Sequence, residues 1–177
     1  MNLEVLDQAA TLAAAGELRR VYASAFGAPG YDEDPAAADR FVTEQLPRHT
    51  ERDGFKLVVS RRAADNAITG FAYGYTGDRG QWWSDRVAEH APPEIVAEWV
   101  GGHFEFVELA VATEVQGQGV GAGLHDALMT DLPHARALLT TYTDDRPAPR
   151  LYLRKGWQIL VPELWPDSAL YGKRLNE

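Results

Sequence analysis

The stretch Gln116-Gly117-Gln118-Gly119-Val120-Gly121 stands between an apolar run, Phe104 to Val111, and an amphipathic run, Val120 to Leu132. Three glycines at alternate positions let the backbone take φ > 0 and leave no Cβ in the way, so several N–H groups can converge on one anion at a helix start. The positive end of the helix dipole adds to the attraction. The chemistry this suits is the holding of a phosphate. No Lys-Ser or Lys-Thr follows, which excludes a Walker A loop. Gly117, Gly119 and Ala122 do fit the dinucleotide spacing Gly-x-Gly-x-x-Ala, with Asp144 or Asp145 at the end of the next apolar run. Roughly sixty residues remain after the turn, too few for the repeated strand–helix units of a doubly wound nucleotide domain.

Upstream, Glu105 and Glu108 are carboxylates set among apolar neighbours. A carboxylate in a central strand costs free energy unless it is paired, hydrated or kept protonated. A salt bridge to Arg136 or Arg150 is the structural answer, and acid–base chemistry the functional one. Strict alternation puts Glu105 with Val107, Leu109 and Val111 on one face and Glu108 on the other, so both serve one site only if the strand bulges.

The elements that must position these groups follow from periodicity. Asn2 to Leu6 reads as a strand before Asp7 caps a helix, and Leu18, Val21, Tyr22 and Ala25 then recur at helical spacing until Gly27. Tyr31-Asp32-Glu33-Asp34-Pro35 forms a loop that opens a second helix, with Phe41, Val42 and Leu46 on one side, until Pro47. Lys56 to Ser60 and Ile68 to Tyr75 form an antiparallel hairpin. In its second strand Phe71, Tyr73 and Tyr75 face one way, while Gly70, Ala72 and Gly74 face a side where something comes close to the backbone. Core packing explains this aromatic stripe most simply, and if one member faces a substrate it is Tyr73.

From Gly77 to Gly102 a long insertion carries Trp82-Trp83, a short helix through Val87, and Pro92-Pro93 opening another that ends near Trp99. The adjacent tryptophans either pin the loop to the core or offer a flat face to a cation or sugar. After the glycine turn, Val120, Leu124, Ala127 and Leu128 form the buried side of a helix. Ala135 to Tyr142 is an apolar strand parallel to its neighbour across that helix. Asp144 or Asp145 then caps a helix that has Pro147 in its first turn and Gly156 at its end, and two strands, Gln158 to Val161 and Ala169 to Arg174, close the chain.

Composition narrows the function further. With 177 residues, 45% of them apolar, the chain suffices for one domain with a real core, and 1–177 is expected to form it. It has no cysteine, which excludes disulfides, thiolate metal ligands and an acyl-cysteine intermediate. His49, His90, His103, His125 and His134 lack the short spacings of a metal site, so none is expected. The formal charge of −9 disfavours nucleic acid, and it serves either solubility or encounter with cations. No leader-like N-terminus and no membrane-length apolar segment is present, so the expected location is the cytoplasm, away from membranes.

Taken in order, the strand, a Gln-x-x-Gly-x-Gly turn, a helix, another strand and an aromatic helix ending in Gly-aromatic resemble the GCN5-related N-acetyltransferase (GNAT) family. The resemblance spans roughly Phe104 to Trp157. Gln116, Gly119 and Gly121 match the pyrophosphate-binding motif. Glu105-Phe106-Val107-Glu108-Leu109-Ala110-Val111 matches the strand before it, and Ala148 to Trp157 the later segment with its Tyr152. Many members carry Asn, which often helps hold the cofactor, where Asp145 stands.

The resemblance implies an α/β (α+β) fold: a mixed sheet of about six to seven strands with helices on both faces, and an acyl-CoA cleft between two splayed parallel strands. It implies an acetyl-CoA-dependent N-acetyltransferase that holds its cosubstrate through Leu109, Ala110 and Val111, through Gln116, Gly117, Gln118, Gly119, Val120, Gly121 and Ala122, and at Asp145. Acetyl passes directly to a primary amine, with Glu105, directly or through a water, as the favoured base, Glu108 as the other candidate, and Tyr152 as the acid that protonates the CoA sulfur. Tyr31, Tyr73, Trp82 and Trp83 are the residues expected around the acceptor, which an acidic chain with aromatics suggests is a small cationic amine. The alternatives are a protein or peptide acceptor, or an acyl-CoA-binding module without turnover. Self-association as a homodimer is allowed.

Overall fold

A computed structural model describes residues 1–176. Seven strands, β1 (Asn2–Leu6), β2 (Lys56–Arg61), β3 (Ile68–Gly77), β4 (His103–Val111), β5 (Arg136–Tyr142), β6 (Gln158–Trp165) and β7 (Ser168–Arg174), form one sheet in the order β1-β2-β3-β4-β5-β7-β6. Eight α-helices accompany it: α1 (Gln8–Ala13), α2 (Ala15–Phe26), α3 (Ala36–Arg40), α4 (Leu46–Thr50), α5 (Trp82–His90), α6 (Pro93–Trp99), α7 (Val120–Met129) and α8 (Pro147–Arg154). β4 and β5 pair in parallel, while β1 with β2, β2 with β3, β5 with β7 and β6 with β7 pair antiparallel. This is the mixed α/β sheet expected. The described residues divide into two compact units, one of Met1–Tyr75 with Val107–Thr130, the other of Thr76–Phe106 with the chain from Asp131 onward.

In the first unit the aromatic stripe of β3 makes the core. Phe71, Tyr73 and Tyr75 pack with Leu18, Val21 and Ala25 of α2, with Phe41 and Leu46, and with Leu57 and Val59 of β2. Asp7 caps α1 through Oδ1, which accepts from the Ala10 N–H at 2.8 Å. The other face of β3 belongs to α7. A Cβ at Gly70 would lie 2.8 Å from Leu124 Cδ1 and 3.2 Å from Val120 Cγ1, so glycine there lets the helix settle onto the strand.

Two readings of this unit need correction. Pro47 does not stop its helix: Phe41–Gln45 is a π turn, and α4 runs on through Pro47 to Thr50. The wider i→i+5 turn, closed by the Leu46 N–H on the Phe41 carbonyl, accommodates a residue that has no N–H to give. Nor does β4 alternate strictly. Val107 and Ala110 both pack into the same core, although residues three apart should face opposite ways. The phase of β4 therefore slips in the stretch that holds Glu108, and counting from Glu105 does not set its face.

In the second unit β4 and β5 pair at Phe104↔Ala137 and Glu105↔Leu138, and β7 lines β5 from Arg136↔Arg174 to Tyr142↔Ser168. β6 is the outer strand, with register shifts between Ile159 and Val161 and between Val161 and Trp165. The insertion folds as the two helices expected. Val87 and Ala91 of α5 and Trp99 of α6 share a core with Leu138, Leu164 and Leu170. Arg136 fastens its end, donating from Nε to the Trp99 carbonyl at 3.2 Å and from Nη2 to the Gly101 carbonyl at 2.7 Å.

The cap of α8 differs from expectation. Arg146 is the N-cap residue, and no side chain caps the helix. Asp144 instead grips the Arg146 guanidinium, at 2.7 Å from Nε and 2.6 Å from Nη2. A two-point ion pair is stronger than a single carboxylate–amide bond, and Pro147 in the first turn has no N–H to be capped.

Candidate functional site

The glycine turn lies in the first unit. Gly117 and Gly119 have φ of +76° and +82°, and Gly119 is the N-cap residue of α7. Gly121 lies inside the helix. A Cβ at Gly117 or Gly119 would meet nothing within 4 Å, so backbone conformation, rather than crowding by protein atoms, is what requires glycine there. No side chain caps α7, and its first N–H groups have no partner within the helix. Gln116 folds back, Nε2 donating to the Val111 carbonyl at 3.0 Å, and so ties the turn to the end of β4. Ala110 is buried, Leu109 and Val111 are half-buried, Val120 is buried, and Gly121 and Ala122 are half-buried; Gly117, Gln118 and Gly119 are exposed. Exposed backbone donors at an uncapped helix start fit an anionic pyrophosphate.

Glu108 keeps part of its surface open, while most of its surroundings are protein. Burial first, and then the charge of Glu33, push its carboxyl up to about 8, against the N–H of Leu109, which favours the charged form. Glu33 sits on the loop after α2 and is itself exposed. Its N–H donates to the Phe26 carbonyl at 2.9 Å, and Oε1 accepts from the Tyr22 hydroxyl at 3.3 Å. Partial burial shifts Glu33 upward, opposed by Tyr22 and by the charge of Arg40. Tyr31, half-buried on the same loop, sets its ring edge-on to Phe26 at 5.6 Å. Its neighbours Asp32 and Asp34 serve the turn, accepting from the N–H groups of Gly30 and Ala36.

Tyr73 belongs to the core of the first unit. It is 0% exposed, its hydroxyl accepts from Gln45 Nε2 at 3.1 Å, and His49 Nδ1 lies 2.9 Å away. Burial, and then the charges of Arg52 and Arg48, push His49 down to about 3, so that imidazole is neutral.

In the second unit Glu105 is 4% exposed and opposes Leu138 of β5. The arginines that a structural salt bridge was expected to use have other work: Arg136 holds two carbonyls, and Arg150 lies 3.9 Å from Asp145. Tyr152, 6% exposed in α8, is fixed by edge contacts with Phe106 at 5.7 Å, Trp157 at 6.0 Å and Tyr171 at 6.4 Å. The side chain of Asp145 is 91% exposed.

The tryptophan pair divides its labour. Trp83 is half-buried, its Nε1 donating to Thr140 Oγ1 at 3.4 Å and its ring 6.0 Å from His103. Trp82 is 71% exposed, with the Arg86 guanidinium 5.7 Å from its ring centre. Trp83 thus pins the insertion, and Trp82 has a cation of its own already.

Among the described residues no group of three His, Cys, Asp or Glu could hold a metal ion, and no helix is long and apolar enough to cross a membrane. Glu33, whose charge adds to the upward push that burial gives Glu108, was not singled out in the sequence. The acids of its loop were visible, but nothing local distinguishes it from Asp32 or Asp34.

The sequence profile of the Acetyltransferase (GNAT) family matches residues 15–157. The chain is 33% identical over 117 residues to the GCN5-like protein acetyltransferase Rv2170 of Mycobacterium tuberculosis, an alignment covering 62% of this chain and spanning 57% of that relative. An acetyltransferase from Thermus thermophilus superposes with a TM-score of 0.71 at 14% identity, over 99% of this chain and 98% of the other. The PaiA N-acetyltransferase of Thermoplasma acidophilum, solved with coenzyme A, gives 0.65 at 12% identity over 98% and 99%. A phosphinothricin acetyltransferase of Sinorhizobium meliloti, solved with acetyl-CoA, gives 0.65 at 18% identity over 99% and 89%.

Proposed function

The chain belongs to the acetyltransferase (GNAT) family, whose profile it matches over residues 15–157, and we propose that it moves acetyl from acetyl-CoA directly to a primary amine, with a small cationic amine as acceptor. The observation that carries this reading is Glu108, a carboxyl on β4 whose proton affinity is pushed up to about 8. An amine at neutral pH is an ammonium ion, and a base must remove a proton before nitrogen can attack. A carboxylate with its ordinary affinity would take that proton poorly, whereas one poised near the working pH takes it readily.

In this reading Gln116 to Ala122 cradle the pyrophosphate and Leu109 to Val111 border the pantetheine arm. Glu108 receives the ammonium proton. The neutral amine nitrogen bonds to the thioester carbonyl carbon, the carbon–sulfur bond breaks, the departing sulfur takes a proton from the Tyr152 hydroxyl, and the second proton that nitrogen sheds as the amide forms restores that hydroxyl. Glu105 is the second candidate for the base. Tyr31 and Glu33 border the acceptor, and the exposed Asp145 takes at most an outer place at the cosubstrate. The acidic surface favours cationic partners over nucleic acid.

A peptide acceptor is the second reading, because the 33%-identical relative is named a protein acetyltransferase. The test is CoA release from acetyl-CoA against a panel of small amines and of peptides with a free N-terminus or lysine, using wild type, Glu108→Gln and Glu105→Gln. Turnover with a small cationic amine, lost in Glu108→Gln, supports the proposal. Turnover on peptides alone moves the acceptor to protein. Thermal protection by acetyl-CoA with no turnover on any acceptor points to an acyl-CoA-binding module.

A further inference from the structure

We propose that Ser24 is a positioning residue for the cosubstrate: from α2 it holds the Thr113 amide, fixing the entry to the glycine turn, and it ties that entry to the root of the loop that carries Tyr31. The inference rests on the reading of Gln116 to Ala122 as the pyrophosphate cradle and of Tyr31 as a neighbour of the acceptor.

The tie begins in the spacing of α2. Leu18, Val21 and Ala25 are its buried stripe, and Glu17, Arg20 and Ser24, each one residue earlier, form a second stripe at the same helical spacing. This stripe grips backbone. Glu17 Oε2 accepts from the Ile68 N–H at 3.0 Å, and Arg20 Nη2 donates to the Ile68 carbonyl at 2.5 Å. Ser24, one turn further along, reaches the chain leaving β4: its Oγ accepts from the Thr113 N–H at 3.0 Å, and the two hydroxyls lie 3.1 Å apart. The residue before, Ala112, is buried and donates its N–H to the carbonyl of Thr69, next to Ile68, at 2.8 Å. Strand β3 and helix α2 therefore hold two consecutive amides between the end of β4 and the glycine turn.

The two holds differ in kind. The Ala112 bond joins backbone to backbone, whereas the Thr113 bond depends on one hydroxyl. Ala112 is the N-cap residue of the 3-10 turn Thr113–Val115 and has no side chain to cap it, so Ser24 supplies the oxygen from 89 residues away. A single short turn has little stability of its own, and an outside acceptor sets the direction in which it leads into Gln116 and Gly117. On the helix side, Ser24 lies two residues before Phe26, the last residue of α2. The Phe26 carbonyl accepts from the Glu33 N–H at 2.9 Å, and its ring meets Tyr31 edge-on at 5.6 Å. Cosubstrate bound at the turn therefore steadies the acceptor loop through one hydrogen bond, and by reciprocity an acceptor lodged at that loop favours the cosubstrate.

The experiment compares wild type, Ser24→Ala, Ser24→Thr and Thr113→Val, with CoA as the probe, by calorimetric binding and by amide hydrogen exchange. Thermal unfolding of each free variant confirms folding. Ser24→Ala is expected to bind CoA about five-fold more weakly, the value of one ordinary hydrogen bond. Ser24→Thr, which keeps a hydroxyl acceptor, and Thr113→Val, which keeps the N–H, should stay within about two-fold of wild type. At equal saturation CoA should slow exchange across residues 27–34 in wild type and in Ser24→Thr, and leave that loop unchanged in Ser24→Ala. A structural role alone would not remove that response. Equal affinity in Ser24→Ala, or an equal loss in Ser24→Thr, overturns the proposal while the cradle reading stands. A wild-type loop indifferent to bound CoA, or protection that survives in Ser24→Ala, overturns the link to the acceptor side. Wild type that takes up no CoA overturns the cradle reading itself, and the proposal with it.

Discussion

Gln116 Nε2 donates to the carbonyl of Val111 at 3.0 Å, closing a five-residue link between the last residue of β4 and the start of the glycine turn. One side chain thereby sets the two backbone segments assigned to the cosubstrate in register. Gln116→Ala removes a hydrogen bond worth about 1 kcal/mol, so the unfolding temperature of the free protein should fall by about 2–4 °C and affinity for acetyl-CoA by up to about five-fold as the turn loses its tie to β4. Calorimetric binding of CoA checks this, and unchanged affinity would show that the turn holds itself.

Gly119 and Gly70 are required for different reasons, and alanine separates them. At Gly119 the obstacle is the left-handed backbone, which costs alanine about 1–2 kcal/mol with no clash against protein. The expected result is a modest stability loss together with a clear loss of CoA affinity. At Gly70 the new methyl meets Leu124 and Val120, and overpacking of this kind costs about 1–3 kcal/mol. Thermal unfolding with and without acetyl-CoA distinguishes the two.

Stability should respond to pH at both ends. His49 and His103 are pushed down to about 3 and about 4, chiefly by burial. The unfolded chain, whose histidines titrate normally near 6.5, binds more protons below that pH, so their contribution is lost as pH falls from about 6.5 towards 4 and 3. Glu108 acts oppositely. Its folded value of about 8 lies above the ordinary carboxylate range, so the folded state is progressively disfavoured as pH rises from about 4.5 to 8. Glu108→Gln should therefore gain stability relative to wild type across that interval. Equal unfolding temperatures for the two proteins at pH 5 and pH 8 would argue against the raised affinity.

Tyr152→Phe keeps the ring that Phe106, Trp157 and Tyr171 hold and removes only the hydroxyl. Turnover should fall about 100-fold, the scale of losing one general acid, while CoA binding and unfolding temperature stay near wild type. A loss of stability without a loss of rate would make this tyrosine an ordinary core residue.

Much of this was legible in the sequence because it is local. The α2 stripe of Leu18, Val21 and Ala25, the β2–β3 hairpin and the glycine turn all follow from spacing over a few residues. What escaped depends on partners distant in the chain. The core packing of the Tyr73 stripe was the simplest reading, but the partners of its hydroxyl, Gln45 and His49, come from another element and no spacing reports them. Pro47 looked like a helix stop because the π turn before it yields no pattern of its own. Asp144 looked like a cap until the Arg146 fork claimed it. The raised proton affinity of Glu108 comes first from its burial, which no spacing rule reports.

The irregular register of β6 bears on how copies of this protein meet in a crowded solution. A straight outer strand offers a continuous row of amide donors and acceptors on which a stray extended segment can zip. Here the register shifts twice, between Ile159 and Val161 and again between Val161 and Trp165, and Pro162 falls inside the second shift with no N–H to offer. At this edge of the sheet the template is broken, and a segment that adds to β6 finds no long regular row to extend.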